Sequence, residues 1–291
     1  MTIAELQNEF FTSGNEHITP ADFFILLAHI SKRERVFLLA HPEYSLSISD
    51  EAMLRDFLNR RLRYEPIASI VGHKEFYGYD FLVTRDTLIP RPETEILVEL
   101  ALDHIDKRQQ KITIIDIGTG SGNIIISLTK EIEKNNRVSD TTYYATDIST
   151  DALTIAKENA RQHGVDSLIR FYESDLLESI EKEILSTGKI IIVANLPYLS
   201  ESLYKDTLPD VHNFEPKGAL ISDEAGLSHY YRLLRYIQKF LSSQNSLILF
   251  LEISPEQTLI LKHFILTLFP DARIRIHKDL AKKNRVVEII I

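Results

Sequence analysis

The second half of the chain alternates short apolar runs with amphipathic stretches. The apolar runs lie at 112–117, 142–147, 168–173, 189–194, 246–253, 272–276 and 285–291. Between the first two runs, Ile124, Leu128 and Ile132 recur at helical spacing. This alternation predicts an α/β domain with a mostly parallel, seven-stranded sheet and helices on both faces. Only HKDLAKKN separates the last two runs, so we expect that final pair to be antiparallel.

The first half has a different pattern. Residues 1–72 show helical spacing, with Thr19 as a helix cap before Pro20, and predict a helical substrate-recognition domain. Residues 73–95 begin with the alternating aromatic segment HKEFYGYDFLVT, which predicts a β-hairpin connector that turns at Gly78. Residues 96–291 then form the α/β domain.

Composition narrows the function classes. The 291 residues are 44% hydrophobic and 26% charged, as in ordinary globular proteins. The net charge of −9 argues against a broad nucleic-acid-binding face, so we expect no direct nucleic-acid contact. The absence of cysteine excludes disulfides and thiolate chemistry, and the ten histidines show no metal-ligand spacing, so we expect no metal.

The N-terminal sequence and the lengths of the apolar runs bear on where the protein is located. The N-terminus lacks the basic start and apolar core of a secretion signal. No apolar run approaches the roughly 18 residues of a membrane span. The sequence therefore predicts a cytoplasmic protein without a membrane partner, and nothing in it requires more than a monomer.

A glycine loop follows the first apolar strand. The strand ITIIDI runs into GTGSGN, with Gly118, Gly120 and Gly122 ahead of a predicted helix. A strand, a glycine loop and a helix N-terminus together favour a nucleotide-like cofactor. The dinucleotide pattern G-x-G-x-x-G would require glycine at 123, where this chain has Asn123, so a cofactor with a pyrophosphate is disfavoured.

Two carboxylates follow the next two strands. Asp147 ends the second strand and can accept hydrogen bonds from both hydroxyls of a ribose. Asp175 follows the third strand and can accept from an adenine amino group. An adenosine with a charged amino-acid tail, S-adenosyl-L-methionine, fits this edge. The alternative is that both residues are helix caps, a common role of aspartate.

The tetrapeptide NLPY follows the fourth strand and lies next to the same edge. Asn195 Oδ1 and the backbone carbonyl of Leu196 can accept two N–H bonds from a planar –NH₂ group. Pro197 fixes the turn, and Tyr198 can stack on the planar group. We interpret this as catalysis by orientation, without a dedicated base. The alternative is an ordinary Asn-x-Pro turn with Tyr198 in the core.

These motifs together resemble the HemK/PrmC family, over nearly the whole chain. The resemblance rests on IPRPETE (89–95), DIGTGSG (116–122), ATDIS (145–149), NLPY (195–198), FEPKGAL (214–220) and KDLAKKNRVVEI (278–289). It implies a Rossmann-like, seven-stranded S-adenosylmethionine-dependent methyltransferase fold in residues 96–291, behind the helical domain and the β-hairpin connector. The implied activity is methylation of the glutamine side-chain amide nitrogen (N5) in the Gly-Gly-Gln loop of peptide-chain release factors.

The resemblance also implies roles for individual residues. Asn195, Leu196, Pro197 and Tyr198 would hold the glutamine and form the catalytic segment. The cofactor would be contacted by Gly118, Thr119, Gly120, Ser121, Gly122, Asp147, Asp175, Leu176 and Asn195. We expect IPRPETE both to start a helix and to fold over the cofactor, while Glu252 is a weaker candidate for shaping the pocket.

One position departs from the family pattern. The family usually has Asn-Pro-Pro-Tyr, whereas residue 196 here is Leu196. Asn-Leu-Pro-Tyr is also similar to the motif of ribosomal-RNA adenine dimethyltransferases, so the alternative function is N6-adenine methylation of ribosomal RNA or DNA. The acidic net charge, RPETE and the N-terminal helical domain argue against it. A catalytically silent binding module is a further alternative, but it would leave the strand-end polar groups without a purpose.

Overall fold

A computed structural model describes residues 1–12, 18–105, 111–134, 141–181, 184, 188–240 and 246–291. Its contacts divide the chain into two compact units. One consists of Met1–His73 with Leu208–Phe214, and the other of Lys74–Thr207 with Glu215–Ile291. The predicted boundaries after residues 72 and 95 stay predictions. The sequence pattern gave no sign that Leu208–Phe214 groups with the N-terminal helices.

The smaller unit is helical. It contains α1 (Ile3–Thr12), α2 (Pro20–Ser31), α3 (Arg35–Ala40), α4 (Ile48–Leu62) and α5 (Ile67–Val71), and, from later in the chain, α10 (Pro209–Phe214). Helix α2 begins where the sequence predicted, because the Thr19 hydroxyl accepts from the Asp22 N–H and the Asp22 carboxylate accepts from the Thr19 N–H. Phe23, Leu26 and Leu54 are fully buried in its core.

The predicted β-hairpin is confirmed. Strands β1 (His73–Phe76) and β2 (Tyr79–Leu82) pair around a two-residue turn. Tyr77 and Gly78 have φ of 54° and 76°, the double positive-φ geometry that matches the twist of hairpin strands. The Tyr77 N–H also donates to Glu95 Oε1 at 2.9 Å, which fixes the hairpin to the end of RPETE.

The larger unit is built on a seven-stranded sheet. Its strands are β3 (Ile112–Ile117), β4 (Thr141–Asp147), β5 (Ile169–Glu173), β6 (Lys189–Ala194), β7 (Ser246–Glu252), β8 (Arg273–Lys278) and β9 (Asn284–Ile290). Their order is β5-β4-β3-β6-β7-β9-β8. Strands β3 to β7 pair in parallel, whereas β9 is antiparallel to both β7 and β8. The seven predicted strands and the antiparallel final pair are therefore confirmed.

Helices cover both faces of this sheet. The helices of this unit are α6 (Glu95–Asp103), α7 (Asn123–Lys134), α8 (Thr150–Gln162), α9 (Glu201–Lys205), the single turn α11 (Asp223–Gly226), α12 (Ser228–Phe240) and α13 (Thr258–Leu268). Successive strand residues point to opposite faces. Accordingly, Ile115 packs with Leu233 and Leu261 in one core, and Ile114 packs with Leu97 in the other. Because helices cover both faces, every residue of β3 is buried. Polar side chains that serve a site are therefore expected where the strands end.

Across the described ranges, no helix is both long and apolar enough to cross a membrane.

Candidate active site

A cavity of about 350 Å³ lies at the carboxyl ends of the parallel strands. It forms where the strand order reverses, since β3 pairs with β4 on one side and β6 on the other. Open α/β sheets bind ligands at such a point. The wall consists of Asp86, Leu88, Pro90, Arg91, Thr94, Ile117, Gly118, Thr119, Asn123, Ile124, Asp147, Ile148, Ser149, Ala152, Ser174, Asp175, Leu176, Asn195, Leu196, Pro197, Pro216, Gly218, Ala219 and His229. Its volume suits a small organic molecule.

The start of the glycine loop forms part of the wall. The N–H groups of Gly118 and Thr119 both donate to the Thr146 carbonyl, at 2.8 and 2.9 Å, which ties the loop to the end of β4. Gly118 has φ of 71°, and a Cβ there would lie 2.8 Å from Leu196 Cδ2. Glycine is favoured at 118 because any other residue would be strained at this positive φ and would also displace the Leu196 side chain.

The rest of the loop does not line the cavity. Gly120, Ser121 and Gly122 were predicted to contact the cofactor, but the structure places all three off the wall. The Ser121 carbonyl accepts from Asn159 Nδ2 at 2.8 Å, and a Cβ on Gly122 would lie 3.2 Å from the Ala156 Cβ. These contacts hold the loop against α8. Direct contact between these three residues and a cofactor stays a prediction.

Asp147 lies on the wall with its carboxylate already oriented. Oδ2 accepts from the Gly120 N–H and Oδ1 from the Ser149 N–H, both at 2.9 Å. Burial raises the pKa of Asp147, and the backbone N–H groups of Ser149, Gly120 and Ile148 oppose that effect. Each carboxylate oxygen keeps a further lone pair, so the pair of oxygens can still accept from two hydroxyls.

Ile148 was missed by the sequence argument. It follows Asp147 directly, is 71% exposed and lines the cavity. An exposed isoleucine here offers an apolar surface to a flat ring. The sequence feature that could have indicated Ile148 is its position, an apolar residue immediately after Asp147 at the end of β4.

Asp175 and Leu176, which were predicted to contact the cofactor, also lie on the wall. The contact itself stays a prediction. Asp175 Oδ2 accepts from Arg232 Nη2 at 2.6 Å, an ion pair that no sequence pattern indicated. Leu176 has φ of 55°, a left-handed conformation that costs a leucine about 1–2 kcal/mol. Burial, with the nearby Arg232 cation, lowers the pKa of the wall residue His229.

The first three residues of NLPY line the cavity, and Asn195 is anchored on one side. Asn195 Nδ2 donates to Thr94 Oγ1 at 3.1 Å, and the Thr94 hydroxyl donates to Glu252 Oε2 at 2.7 Å. The amide oxygen of Asn195 accepts no hydrogen bond from the described residues. The Leu196 N–H donates to the hydroxyl of Tyr230 at 3.3 Å, so the backbone of the motif is fixed as well.

Tyr198 is not on the cavity wall. Its hydroxyl donates to Glu252 Oε1 at 3.4 Å, and its carbonyl accepts from Gln257 Nε2 at 2.9 Å. Burial raises the pKa of the Tyr198 hydroxyl, with a further rise from the charge of Glu252. The predicted stacking of Tyr198 on a substrate stays a prediction.

Glu252 is the buried centre of this arrangement. Its residue is 1% exposed, and burial raises its pKa to about 7. It is the last residue of β7, where it follows the apolar stretch LILFL and precedes Ile253. A charged residue in such a run was the signal in the sequence, but its partners Thr94 and Tyr198 are distant along the chain.

IPRPETE and FEPKGAL meet at the cavity. The Arg91 guanidinium forms an ion pair with the buried carboxylate of Glu215, which also accepts from the Ile89 N–H at 3.3 Å. Pro90 from one motif and Gly218 from the other line the same wall. The helix start predicted in RPETE is present as a 3₁₀ turn, Pro92–Thr94, that leads into α6.

Comparison with known proteins accounts for both units. Residues 8–72 match the model of the PrmC N-terminal domain, and residues 108–240 match that of a methyltransferase domain. A methyltransferase from Pyrococcus furiosus has a similar fold, with a TM-score of 0.50 and 16% identity over 80% of this chain and 97% of that one. The predicted methyltransferase fold is confirmed.

Relatives extend the similarity over nearly the full length. A release factor glutamine methyltransferase of Bacillus anthracis is 34% identical over 90% of this chain and 89% of its own. Another of the same name, from Rhodopirellula baltica, is 32% identical over 99% of this chain and 95% of its own. By this similarity, the chain belongs to the family of release factor glutamine methyltransferases.

Proposed function

We propose that this protein transfers a methyl group from S-adenosyl-L-methionine to the side-chain amide nitrogen (N5) of the glutamine in the Gly-Gly-Gln loop of peptide-chain release factors. The observation that carries the proposal is the anchored amide of Asn195. Its nitrogen is held by Thr94, and its oxygen is free of partners among the described residues, on the wall of a cavity that begins at the glycine loop. The names of the relatives support the same substrate.

Different residues of the cavity wall suit the ribose, the adenine and the amino-acid tail of the cofactor. The oriented carboxylate of Asp147 suits the two ribose hydroxyls, and exposed Ile148 suits one face of adenine. Asp175 and Leu176 on the same wall would hold the adenine edge, and the positive-φ turn at Gly118 would let backbone approach the amino-acid tail. When bound, S-adenosyl-L-methionine supplies an electrophilic methyl group.

The chain's own contribution is orientation. Asn195 Oδ1 and the Leu196 carbonyl accept the two N–H bonds of the glutamine amide and aim the nitrogen lone pair at the methyl group. Both acceptors interact more strongly as positive charge develops on that nitrogen. As the bond from nitrogen to the methyl carbon forms, the bond from that carbon to the sulfonium sulfur would break and leave its electron pair on sulfur. The nitrogen becomes acidic while it carries positive charge and would release its proton to solvent, so no dedicated base is required.

Leu196 is compatible with this role. A backbone carbonyl is present whatever the side chain, and the hydrogen bond from the Leu196 N–H to Tyr230 holds the peptide in place. The Leu196 side chain packs at Gly118, so it occupies space beside the glycine loop. The substitution therefore changes the rigidity of the turn and leaves the acceptor in place.

N6-adenine methylation of ribosomal RNA or DNA is not favoured. The relatives that match nearly all of this chain are named for a protein glutamine, and the net charge is −9. We infer in addition that the protein acts on its factor as a monomer, in the cytoplasm and without direct nucleic-acid contact. A release factor works at the ribosome, which supports that location.

A three-substrate assay tests the proposal. Labelled S-adenosyl-L-methionine is offered with an intact release factor, the same factor with its loop Gln→Ala, and small-subunit ribosomal RNA. We expect label only on the intact factor. Label on the RNA, or equal label on the Gln→Ala factor, would refute the glutamine proposal.

A further inference from the structure

A buried chain of hydrogen bonds connects the NLPY motif with RPETE and β7. Asn195 Nδ2 donates to Thr94 Oγ1, the Thr94 hydroxyl donates to Glu252 Oε2, and Tyr198 donates to Glu252 Oε1. Thr94 is 2% exposed and Glu252 is 1% exposed. One carboxylate thus connects to both polar side chains of the motif, although only Asn195 faces the cavity.

The direction of these bonds determines which end of the Asn195 amide faces the substrate. A hydroxyl has one hydrogen, and Thr94 gives it to Glu252 at 2.7 Å. Thr94 Oγ1 can then only accept from Asn195, so the amide nitrogen must turn toward Thr94. The amide oxygen is left for the cavity, where an N–H acceptor is needed.

We propose that Thr94 and Glu252 are positioning residues, which hold the Asn195 amide with its oxygen toward the substrate. The proposal rests on the proposed function, because it assigns Asn195 the role of accepting an N–H bond. Neither residue needs to touch the glutamine or the methyl donor.

The protonation state of Glu252 controls this relay. Burial is the main cause that raises the pKa of Glu252 to about 7, and the negative charge of Glu93 raises it further. The hydrogen bonds from Thr94 and Tyr198 and the positive charge of Arg285 act in the opposite direction. A further neighbour, Tyr230, donates to the backbone carbonyl of Glu252.

Protonation would reverse the relay. A protonated Glu252 has an O–H of its own to donate to Thr94 Oγ1, which releases the threonine hydrogen toward Asn195. The amide can then flip and present its N–H₂ group to the substrate, where two donors would face each other. We therefore expect methyl transfer to slow as the pH falls through about 7, since the ionised carboxylate is the productive form.

Two substitutions of Thr94 separate positioning from packing. Thr94→Val removes the hydroxyl at nearly constant volume, and Thr94→Ser keeps it. Thr113→Val is the matched control. Thr113 is likewise buried in the larger unit, but its hydroxyl bonds to that of Thr142 near the start of β3, at the end of the strand away from the cavity.

We expect Thr94→Val to lower kcat by about tenfold to a hundredfold, which is less than removal of a direct transition-state partner. Its affinity for S-adenosyl-L-methionine should stay at the wild-type value. Thr94→Ser and Thr113→Val should retain most of the wild-type kcat. Wild-type kcat in Thr94→Val, or an equal loss in Thr94→Ser, would overturn the proposal.

A readout independent of catalysis distinguishes failure of the relay from failure of the proposed function. The ¹⁵N side-chain amide signal of Asn195, assigned by its loss in Asn195→Ala, is followed with pH in the full-length protein. We expect it to titrate in the wild type and to be flat in Thr94→Val and Glu252→Gln. An unchanged titration in Thr94→Val would exclude the relay. An enzyme that methylates no release factor would refute the proposed function, and this titration would still decide on the relay.

Discussion

Asn195 is the residue on which the proposed chemistry depends most. Its amide joins the substrate side of the cavity to the buried Thr94 and Glu252. A side chain that accepts one N–H bond contributes most when charge develops on the donor, so its effect should appear in kcat more than in cofactor binding.

Asn195→Ala should therefore lower kcat by about 100- to 1,000-fold, the usual effect of losing one preorganised transition-state partner. Affinity for S-adenosyl-L-methionine, measured by calorimetry, should fall much less than kcat, since Asn195 is only one of the predicted cofactor contacts and the others are untouched. A variant that keeps wild-type kcat would show that Asn195 does not orient the substrate.

Asp147 should act on binding. Asp147→Asn keeps the shape of the side chain but replaces one acceptor oxygen with an NH₂ donor. That donor would face a backbone N–H, of Gly120 or of Ser149, and could no longer accept from a ribose hydroxyl. We expect the Kd for S-adenosyl-L-methionine to rise about tenfold or more, equivalent to about 1.4 kcal/mol. Asp151→Asn, on exposed Asp151 in the first turn of α8, is the control and should bind normally.

At the level of elements, the alternation of strands and helices was predictable because the central strands β3, β6 and β7 are largely apolar runs, and amphipathic stretches lie between the strands. The candidate positions Asp147, Asp175 and Asn195 were predictable for the same reason, since they follow strands whose carboxyl ends share one edge. The hydrogen bond from Asn195 to Thr94 was not, because 101 residues separate the two. The grouping of Leu208–Phe214 with the N-terminal helices likewise depends on tertiary contacts that periodicity does not encode.

The junction between the glycine loop and α8 offers a test at this scale. Gly122 has φ of 81°, and a Cβ there would lie 2.9 Å from Ile126 Cδ1 and 3.2 Å from the Ala156 Cβ. Gly122→Ala should cost about 2–4 kcal/mol of unfolding free energy, from backbone strain of about 1–2 kcal/mol plus overpacking.

Gly164→Ala is the control, because it introduces the same backbone strain without overpacking. Gly164 has φ of 69°, but nothing lies within 4 Å of an added Cβ. Urea denaturation should show a smaller loss for Gly164→Ala than for Gly122→Ala. Equal losses would mean that the packing of the loop against α8 contributes nothing measurable.

For the molecule as a whole, buried carboxylates make stability depend on pH. Burial raises the pKa of both Asp116 and Glu252 to about 7. Their unfolded values are near 4, so between about pH 4 and 7 the folded protein binds more protons than the unfolded chain. The free energy of unfolding should accordingly fall as the pH rises through this window.

Asp116→Asn should flatten that dependence. The asparagine cannot ionise, and its amide oxygen can still accept from the Thr119 hydroxyl, which now bonds to Asp116 Oδ2 at 2.7 Å. Denaturation at several pH values should show a shallower slope than in the wild type, while Asp151→Asn keeps the wild-type slope. An unchanged slope in Asp116→Asn would mean that Asp116 is ionised throughout.

The central claim is the identity of the methylated atom. The most direct measurement is tandem mass spectrometry of a release factor after incubation with this protein and S-adenosyl-L-methionine. We predict one added methyl group, located on the side-chain nitrogen of the Gly-Gly-Gln glutamine and absent when Asn195→Ala replaces the wild type. A methyl group on any other residue, or an unmodified factor beside methylated ribosomal RNA, would contradict the account.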